Sequence, residues 1–512
     1  MSTRALDNPE QLTERRGFAA VRPEWLAMLI VAALAACHLL GTVDPDVAWQ
    51  LWIAHQVNHG AQLYHDIVEV NPPLWFWMAL PIDKAATLTG LRAESVLIAA
   101  VGVLQMLSLG ALSALLPMEG RRKAALLAFA ALVMGAYAWI HIGQREQLAL
   151  IAAVPYAALM AARRNGRQVS LFLGIAVGIG AGLGFALKHY FLIVPFLLEL
   201  WLAVSQRRSW TPFRPETWAM AAVGAAYAST TLIFAPAFLS EALPLIRLGY
   251  GGSGATSFGQ LFQPGLVIGL AILAMLLACW RRLDDLSSAL LIAAAGFGAA
   301  YFIQAKGWHY HSIPLVGCGA IALAVFLAKD DEPPRLLGIL APVLLSLPLI
   351  LSWLEARSPR LPDADLNHAI AGLPPGANVG FLATEPAFAF SVTLQHGFGY
   401  PPRYFGFWMM RSIINNERNG GPNPALTAFG HRIRRDIAND FLCHPPVRII
   451  ANRPTPARSA AGDFDILAWF EHEPDFAALM THYRHVSRTS ADTYDLARPW
   501  RAPPTTSCTR RF

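Results

Sequence analysis

The sequence predicts an α-helical polytopic membrane protein that ends in a smaller α/β domain outside the lipid. Of its 512 residues, 55% are hydrophobic and only 14% charged, with a mean hydropathy of +0.40. A soluble chain carries roughly 25% charged residues, so most of this one belongs in lipid. Apolar runs near or above ~18 residues recur, enough to cross a ~30 Å hydrocarbon core. The connections between them alternate between strongly basic and nearly free of cations.

The first apolar run, Trp25 to Leu40, has no convincing small-x-small cleavage site after it and reads as an uncleaved span. About eleven spans follow from hydropathy, at 25–42, 94–116, 124–141, 147–162, 169–187, 190–205, 217–236, 264–280, 286–304, 312–328 and 336–353. The N-terminal segment (Arg4, Arg15, Arg16, Arg22), Arg121-Arg122-Lys123, Arg163 to Arg167, Arg207-Arg208 with Arg214, Arg281-Arg282, and Lys329 with Arg335 are the basic connections. Positive-inside asymmetry places them all in the cytoplasm, and an odd span count then leaves the C-terminus outside. The net charge of +6 therefore reflects topology, not nucleic-acid binding. Pro72 to Leu91 is apolar, yet its prolines, Asp83 and Lys84 suit a lipid-facing span poorly. Counting it would invert every later loop, so it reads as interfacial or re-entrant helix on the outer face, with Trp75, Phe76 and Trp77 at headgroup depth.

These readings divide the chain into a cytoplasmic segment at 1–24, a transmembrane catalytic domain at 25–355 with its first outer loop at 43–93, and a periplasmic domain at 356–512. In the last part prolines and charges become common, and Asn378 to Leu382 reads as a strand. Of the five cysteines, Cys37, Cys279 and Cys318 fall in spans, while Cys443 and Cys508 are free to pair if their compartment is oxidising. No repeat of 20–50 residues stands out.

Chemistry-bearing residues gather in the outer loops. Asp44-Pro45-Asp46 follows the first span, and a carboxylate there is placed to deprotonate an acceptor hydroxyl or to bind a divalent cation. A solvated turn is the plainer alternative. Gly60-x-x-x-Tyr64-His65-Asp66 and Asn71-Pro72-Pro73-Leu74 complete that loop. Isolated cations stand at later outer ends: Arg145, Lys188, Arg247 and Lys306. Such cations donate charge-assisted hydrogen bonds to phosphate, although each alone is equally consistent with snorkelling. Arg145-Glu146 opens one span, where a cap and ion pair would suffice. Lys188-His189-Tyr190 and Lys306-Gly307-Trp308-His309-Tyr310-His311 close two others. His309 and His311, with no third partner, make a weak metal signal, so hydrogen bonding to phosphate or acceptor suits them better. Arg247 and Tyr250 lie in a Gly- and Ser-rich outer loop at 238–262 that has no phosphate-loop signature.

The first outer loop, the Arg145-Glu146 pair and the Lys306 to Pro314 cluster together resemble motifs of the GT-C class of integral-membrane glycosyltransferases. The resemblance covers residues 25–355, is strongest over 41–162, and points to the branch containing protein O-mannosyltransferases and the lipid A aminoarabinose transferase. Relatives often have Asp where this chain has Glu146, which lengthens the reach of that carboxylate. The resemblance implies an inverting transfer of a hexosyl or pentosyl group from a polyprenyl-phosphate carrier in the inner membrane of a bacterium. Asp46 or Asp44 would orient or deprotonate the acceptor, Glu146 would support acceptor or metal, and Lys188, Lys306, Arg145 and Arg247 would hold the carrier phosphate. Tyr64, Asp66, His309, His311 and Tyr250 would line the substrate site. A divalent cation stays open, and the acceptor would be glycan, lipid or protein.

Three rivals weigh against this. A secondary transporter would put its ionisable residues near the midplane within paired repeats. An O-antigen polymerase or ligase would depend on a large late outer loop rich in Arg and His. A non-catalytic relative would act through its outer domain alone. In that domain His396, Arg403, Tyr404, Phe405 and Trp408 are candidates for acceptor contact, but a role in its core is the simpler reading.

Overall fold

The computed structural model describes residues 23–251, 261–329, 334–357, 363–384, 389–453, 464–489, 491–500 and 508. Apolar sequence sets the helices. They are α1 (Pro23–His38), α2 (Pro45–Asn58), α3 (Leu74–Thr89), α4 (Ala93–Leu115), α5 (Gly120–Ala136), α6 (Arg145–Arg164) and α7 (Leu171–Ala186). There follow α8 (Ile193–Gln206), α9 (Pro215–Phe234), α10 (Leu243–Gly251), α11 (Pro264–Ala278), α12 (Asp285–Gln304), α13 (Ile313–Lys329) and α14 (Arg335–Arg357). Six helical stretches are long and apolar enough to cross a bilayer, and three shorter apolar helices accompany them. This is a polytopic helical membrane protein.

Every span read from hydropathy coincides with a helix, but the 124–141 segment leaves the helix early. α5 stops at Ala136, and Trp139–His141 forms a 3-10 turn in which His141 bonds to Asp44 instead of continuing the helix. Pro72 to Leu91 is largely helical. It forms α3, which packs against α2 as a hairpin, and Asp83 lies buried in the seam accepting from Asn58 (2.7 Å) and pairing with His55 (3.0 Å). A carboxylate held by a neighbouring helix explains why that segment is unsuited to lipid on all sides.

At the basic end of the bundle the cations find acids. Arg163 makes a bidentate pair with the fully buried Glu216 (2.9 Å twice), and Arg214 reaches the same carboxylate at 3.0 Å. Arg164 pairs with Asp285 and Lys329 with Asp284. Between α7 and α9 the backbones touch: a Cβ on Gly178 would lie 2.5 Å from the Glu216 carbonyl oxygen. Small residues four apart permit such an approach.

Beyond α14 the chain changes to α/β structure. Four strands, β1 (Val379–Leu382), β2 (Arg448–Asn452), β3 (Tyr483–Arg488) and β4 (Ala491–Leu496), form a sheet in the order β1-β2-β4-β3. β1 and β2 are parallel and the other pairs antiparallel. Helices α15 (Asp363–Ile370), α16 (Phe390–His396), α17 (Met410–Arg418) and α18 (Pro424–Cys443) accompany it, with α19 (Ile466–Glu471) and α20 (Pro474–Met480). Cys443 and Cys508 form a disulfide. This part sits against the first loop of the bundle: Val68 N–H donates to the Arg403 carbonyl at 2.8 Å, and Trp49 on α2 stacks on Phe405 with centroids 5.0 Å apart.

Candidate active site

The Asp44-Pro45-Asp46 sequence is a helix start. Asp44 is the N-cap of α2 and accepts from the Asp46 N–H at 2.8 Å, while Pro45 occupies the first helical position, where a missing N–H costs nothing. The pair is thus no solvated turn: Asp44 caps a helix, is buried, and lines the cavity that forms the site. The second Asp44 oxygen accepts from His141 Nδ1 at 2.7 Å, and Gln144 Nε2 reaches both Asp44 and Asp46 at 3.2 Å. Tyr310 donates its hydroxyl to Asp46 at 3.0 Å. Burial pushes the Asp46 carboxyl up to about 6, helped by the neighbouring Asp44 charge and opposed by Arg145, Tyr310 and Gln144.

Opposite stand the cations. Arg145 opens α6, lies over the Trp75 ring at 4.6 Å and donates to Asn71 Oδ1. Asn71 is itself held by buried Glu69, which accepts from the Asn71 N–H and Nδ2 at 2.7 Å each and from the Trp49 indole. Lys188 donates to Glu146 at 2.5 Å, to Gln304 at 3.1 Å and to His311 Nε2 at 3.3 Å. Burial lowers the Lys188 ammonium to about 8 against the pull of Glu146. Lys306 is lowered to about 7 by burial and then by the charges of Lys188 and Arg145. Two left-handed residues, Ala305 (φ 49) and Gly307 (φ 65), turn the chain at Lys306, which lies 4.8 Å from the Trp308 ring centroid.

These groups line one cavity of about 1610 Å³ at the end of the bundle opposite the Arg163–Glu216 cluster. Asp44, Asp46, Asn71, His141, Arg145, Lys188, Lys306 and His309 form its polar floor. Tyr227, Ala228, Thr231 and Leu232 of α9, with Phe238, Leu239 and Leu243, form an apolar flank. Arg247 of α10 and Phe405, Trp408 and Arg411 from the α/β part close it above. It is larger than the ~300–1,000 Å³ usual for small-molecule sites.

Of the residues singled out in the sequence, Asp44, Asp46, Arg145, Lys188, Arg247, Lys306 and His309 converge on this cavity. Glu146 and His311 do not reach it: both are buried behind Lys188, with Glu146 0% exposed, so Glu146 holds the lysine and touches no ligand. Tyr64 and Asp66 lie elsewhere. The Tyr64 hydroxyl donates to the Asn71 carbonyl at 2.6 Å, and Asp66 accepts from the Gln62 N–H at 2.8 Å, so both fasten the loop. The side chain of Tyr250 is outside the described residues. Arg403 and Tyr404 are structural, bonded to Asp440 and Asp436, whereas Phe405 and Trp408 face the cavity and His396 is exposed beside Phe398.

Glu355 was not singled out in the sequence. It ends α14, lines the cavity, and lies 3.4 Å from His141 Nε2 and 3.5 Å from His309 Nδ1. Its signal was available, as an isolated acid at the outer end of the last apolar segment. For a metal the fit is poor: Asp44 spends both oxygens and Asp46 its Oδ2 on protein donors, and among the described residues no three His, Cys, Asp or Glu side chains are grouped to hold an ion.

No family model matches this chain, and no curated protein matches it. Among solved structures it is similar to ArnT from Cupriavidus metallidurans bound to undecaprenyl phosphate, with TM-score 0.51 and 14% identity over 92% of this chain and 98% of that one. It also matches an apo oligosaccharyltransferase from Archaeoglobus fulgidus, with TM-score 0.42 and 13% identity over 94% of this chain and 75% of that one. The likeness to ArnT shows the fold, that of the GT-C class.

Proposed function

We propose that this protein is an inverting glycosyltransferase that moves a sugar from a polyprenyl-phosphate carrier to an acceptor at the outer face of the cytoplasmic membrane. One observation carries the reading: a half-buried carboxylate and three cations from the ends of separate helices meet in one cavity that has an apolar flank. The flank along α9 suits the carrier's hydrocarbon, and Lys188, Lys306 and Arg145 suit its phosphate. The undecaprenyl phosphate bound to ArnT, a protein of the same fold, supports that class of ligand.

In the reaction, Asp46 takes the proton of the acceptor hydroxyl as that oxygen attacks the anomeric carbon. The sugar–phosphate C–O bond breaks on the opposite side, and its electron pair leaves with the phosphate. Lys188, Lys306 and Arg145 stabilise the charge that develops there. Asp44 caps α2 and orients His141, while Glu146 positions Lys188. A transporter reading fits less well, since acids and cations gather at one end of the bundle and not at its midplane.

The test is transfer of radiolabelled sugar from a panel of polyprenyl-phosphate donors in membranes, comparing wild type with Asp46→Ala. Transfer lost in a variant of unchanged abundance is the expected result. Equal transfer by both would remove Asp46 from the chemistry, and no transfer by either would favour transport or scaffolding.

A further inference from the structure

The cavity holds more positive charge than its acids and a single phosphodiester account for. Glu146 is taken by Lys188, Asp44 by His141, and Glu355 lies beside His141 and His309. Asp46 faces Arg145, and Lys306 stands within the field of Lys188, Arg145, Asp46 and Glu146. Arg247 and Arg411 remain. Both line the cavity, and among the described residues neither has an ion pair or a hydrogen bond.

Their placement is fixed by contacts between α10 and residues 408–412. Ser412 of α17 donates to the Gly249 carbonyl of α10, and a Cβ on Gly249 would fall 2.6 Å from the Trp408 ring. α10 is therefore docked on α17, with Arg247 two residues before that contact and Arg411 one residue before it. Trp408 and Phe405 supply aromatic surface on the same wall. A polyprenyl-phosphate sugar carries one negative charge, already met on the floor by three cations. Two uncompensated guanidinium groups lining the same cavity as the Trp408 ring suit a second ligand bearing a phosphate or carboxylate next to a sugar face.

We propose that Arg247, Arg411 and Trp408 form the acceptor subsite, and that the acceptor presents an anionic group beside its reacting hydroxyl. This rests on the transferase reading and assigns Arg247 to the acceptor instead of the carrier.

The full chain in phosphatidylcholine nanodiscs, saturated with undecaprenyl phosphate, is titrated with glucose 1-phosphate and with glucose. Binding of the phosphorylated sugar and not of glucose is expected. Arg247→Ala and Arg411→Ala should each weaken it tenfold or more while undecaprenyl phosphate affinity stays within twofold, which also reports that the variants fold. Arg411→Lys should recover part of the loss. Lys306→Ala should do the reverse, weakening undecaprenyl phosphate. Unchanged glucose 1-phosphate affinity in both alanine variants, or no binding by wild type, would overturn the subsite. Parallel loss of undecaprenyl phosphate in the arginine variants would return both residues to the carrier. Displacement of the sugar phosphate by phosphatidylglycerol built into the disc would assign them to bilayer headgroups. Wild type that fails to bind undecaprenyl phosphate would sink the transferase reading, and the acceptor assignment with it.

Discussion

Asp46 sits where burial opposes its ionisation and a helix N-terminus favours it. Burial prevails and raises the carboxyl to about 6, so at neutral pH it is ionised yet basic enough to take a proton. The base acts deprotonated, so kcat/KM should fall as pH drops through about 6. The phosphate-binding cations act protonated, and Lys306 and Lys188 are lowered to about 7 and about 8, so kcat/KM should also fall as pH rises through that range. A bell-shaped profile peaking between those limbs is expected from initial rates at limiting donor. Tyr310→Phe removes a donor to the charged Asp46, which raises its pKa, so the acid limb should move to higher pH while the alkaline limb stays. An acid limb that ignores this change would assign it to another group. Asp46→Asn should lower kcat by roughly 10²–10⁴, the usual worth of a general base. Much of this site was legible because several isolated charges stand at the outer ends of different apolar segments, which the bundle gathers at one cavity. What escaped is long-range: nothing near Glu69 tells that it holds Asn71 for Arg145, and nothing near Arg411 places it over a cavity in the bundle. Glu146 was legible as an acid but not as the partner of Lys188, because their contact spans two helices.

Elements were read best where one physical rule governs them. Hydropathy finds helices that must satisfy their backbone internally in lipid, so the apolar segments and the helices coincide. It is blind to how helices touch. The Gly174, Gly178 and Gly182 series on α7 carries the four-residue spacing of a close helix contact, and the structure places it against α9. Gly178→Val should push Glu216 and its carbonyl aside and cost about 1–3 kcal/mol, read as a lower Tm of the purified protein. Gly180→Val is the control, since a Cβ there meets nothing within 4 Å. Equal melting of the two variants would show that the α7–α9 contact does not limit stability. Glu216→Gln strikes the same seam by another route. It leaves the bidentate Arg163 and the Arg214 guanidinium facing a neutral amide, and should cost about 3–5 kcal/mol as a broken buried pair.

Across the whole molecule the two ends differ in kind. One collects Arg163, Arg164, Arg214 and Lys329 against a few acids; the other carries the cavity, closed by a disulfide-bearing α/β part. Basic connections stay in the cytoplasm during insertion, and a disulfide persists where the medium is oxidising. Both agree with the proposed placement of the cavity outside the cytoplasm, and they are independent, since one acts through translocation and the other through redox poise. Orientation can be read in a chain whose Cys37, Cys279 and Cys318 are serine and whose Cys443–Cys508 bridge is kept. Asp475→Cys, on the exposed side of the α/β part, should react with a membrane-impermeant maleimide in intact cells that are permeable only through the outer membrane. Arg121→Cys, exposed at the opposite end, should react only after the inner membrane is opened. The reverse pattern would put the cavity in the cytoplasm, where a nucleotide-linked donor would be at hand and the case for a lipid-carried sugar would lose its main support. Labelling of both positions in intact cells would mean that the span count is even between them. One of the apolar segments between Arg121 and Asp475 would then fail to cross, whereas a crossing by α3, which precedes both positions, would move the two labels together to the opposite faces.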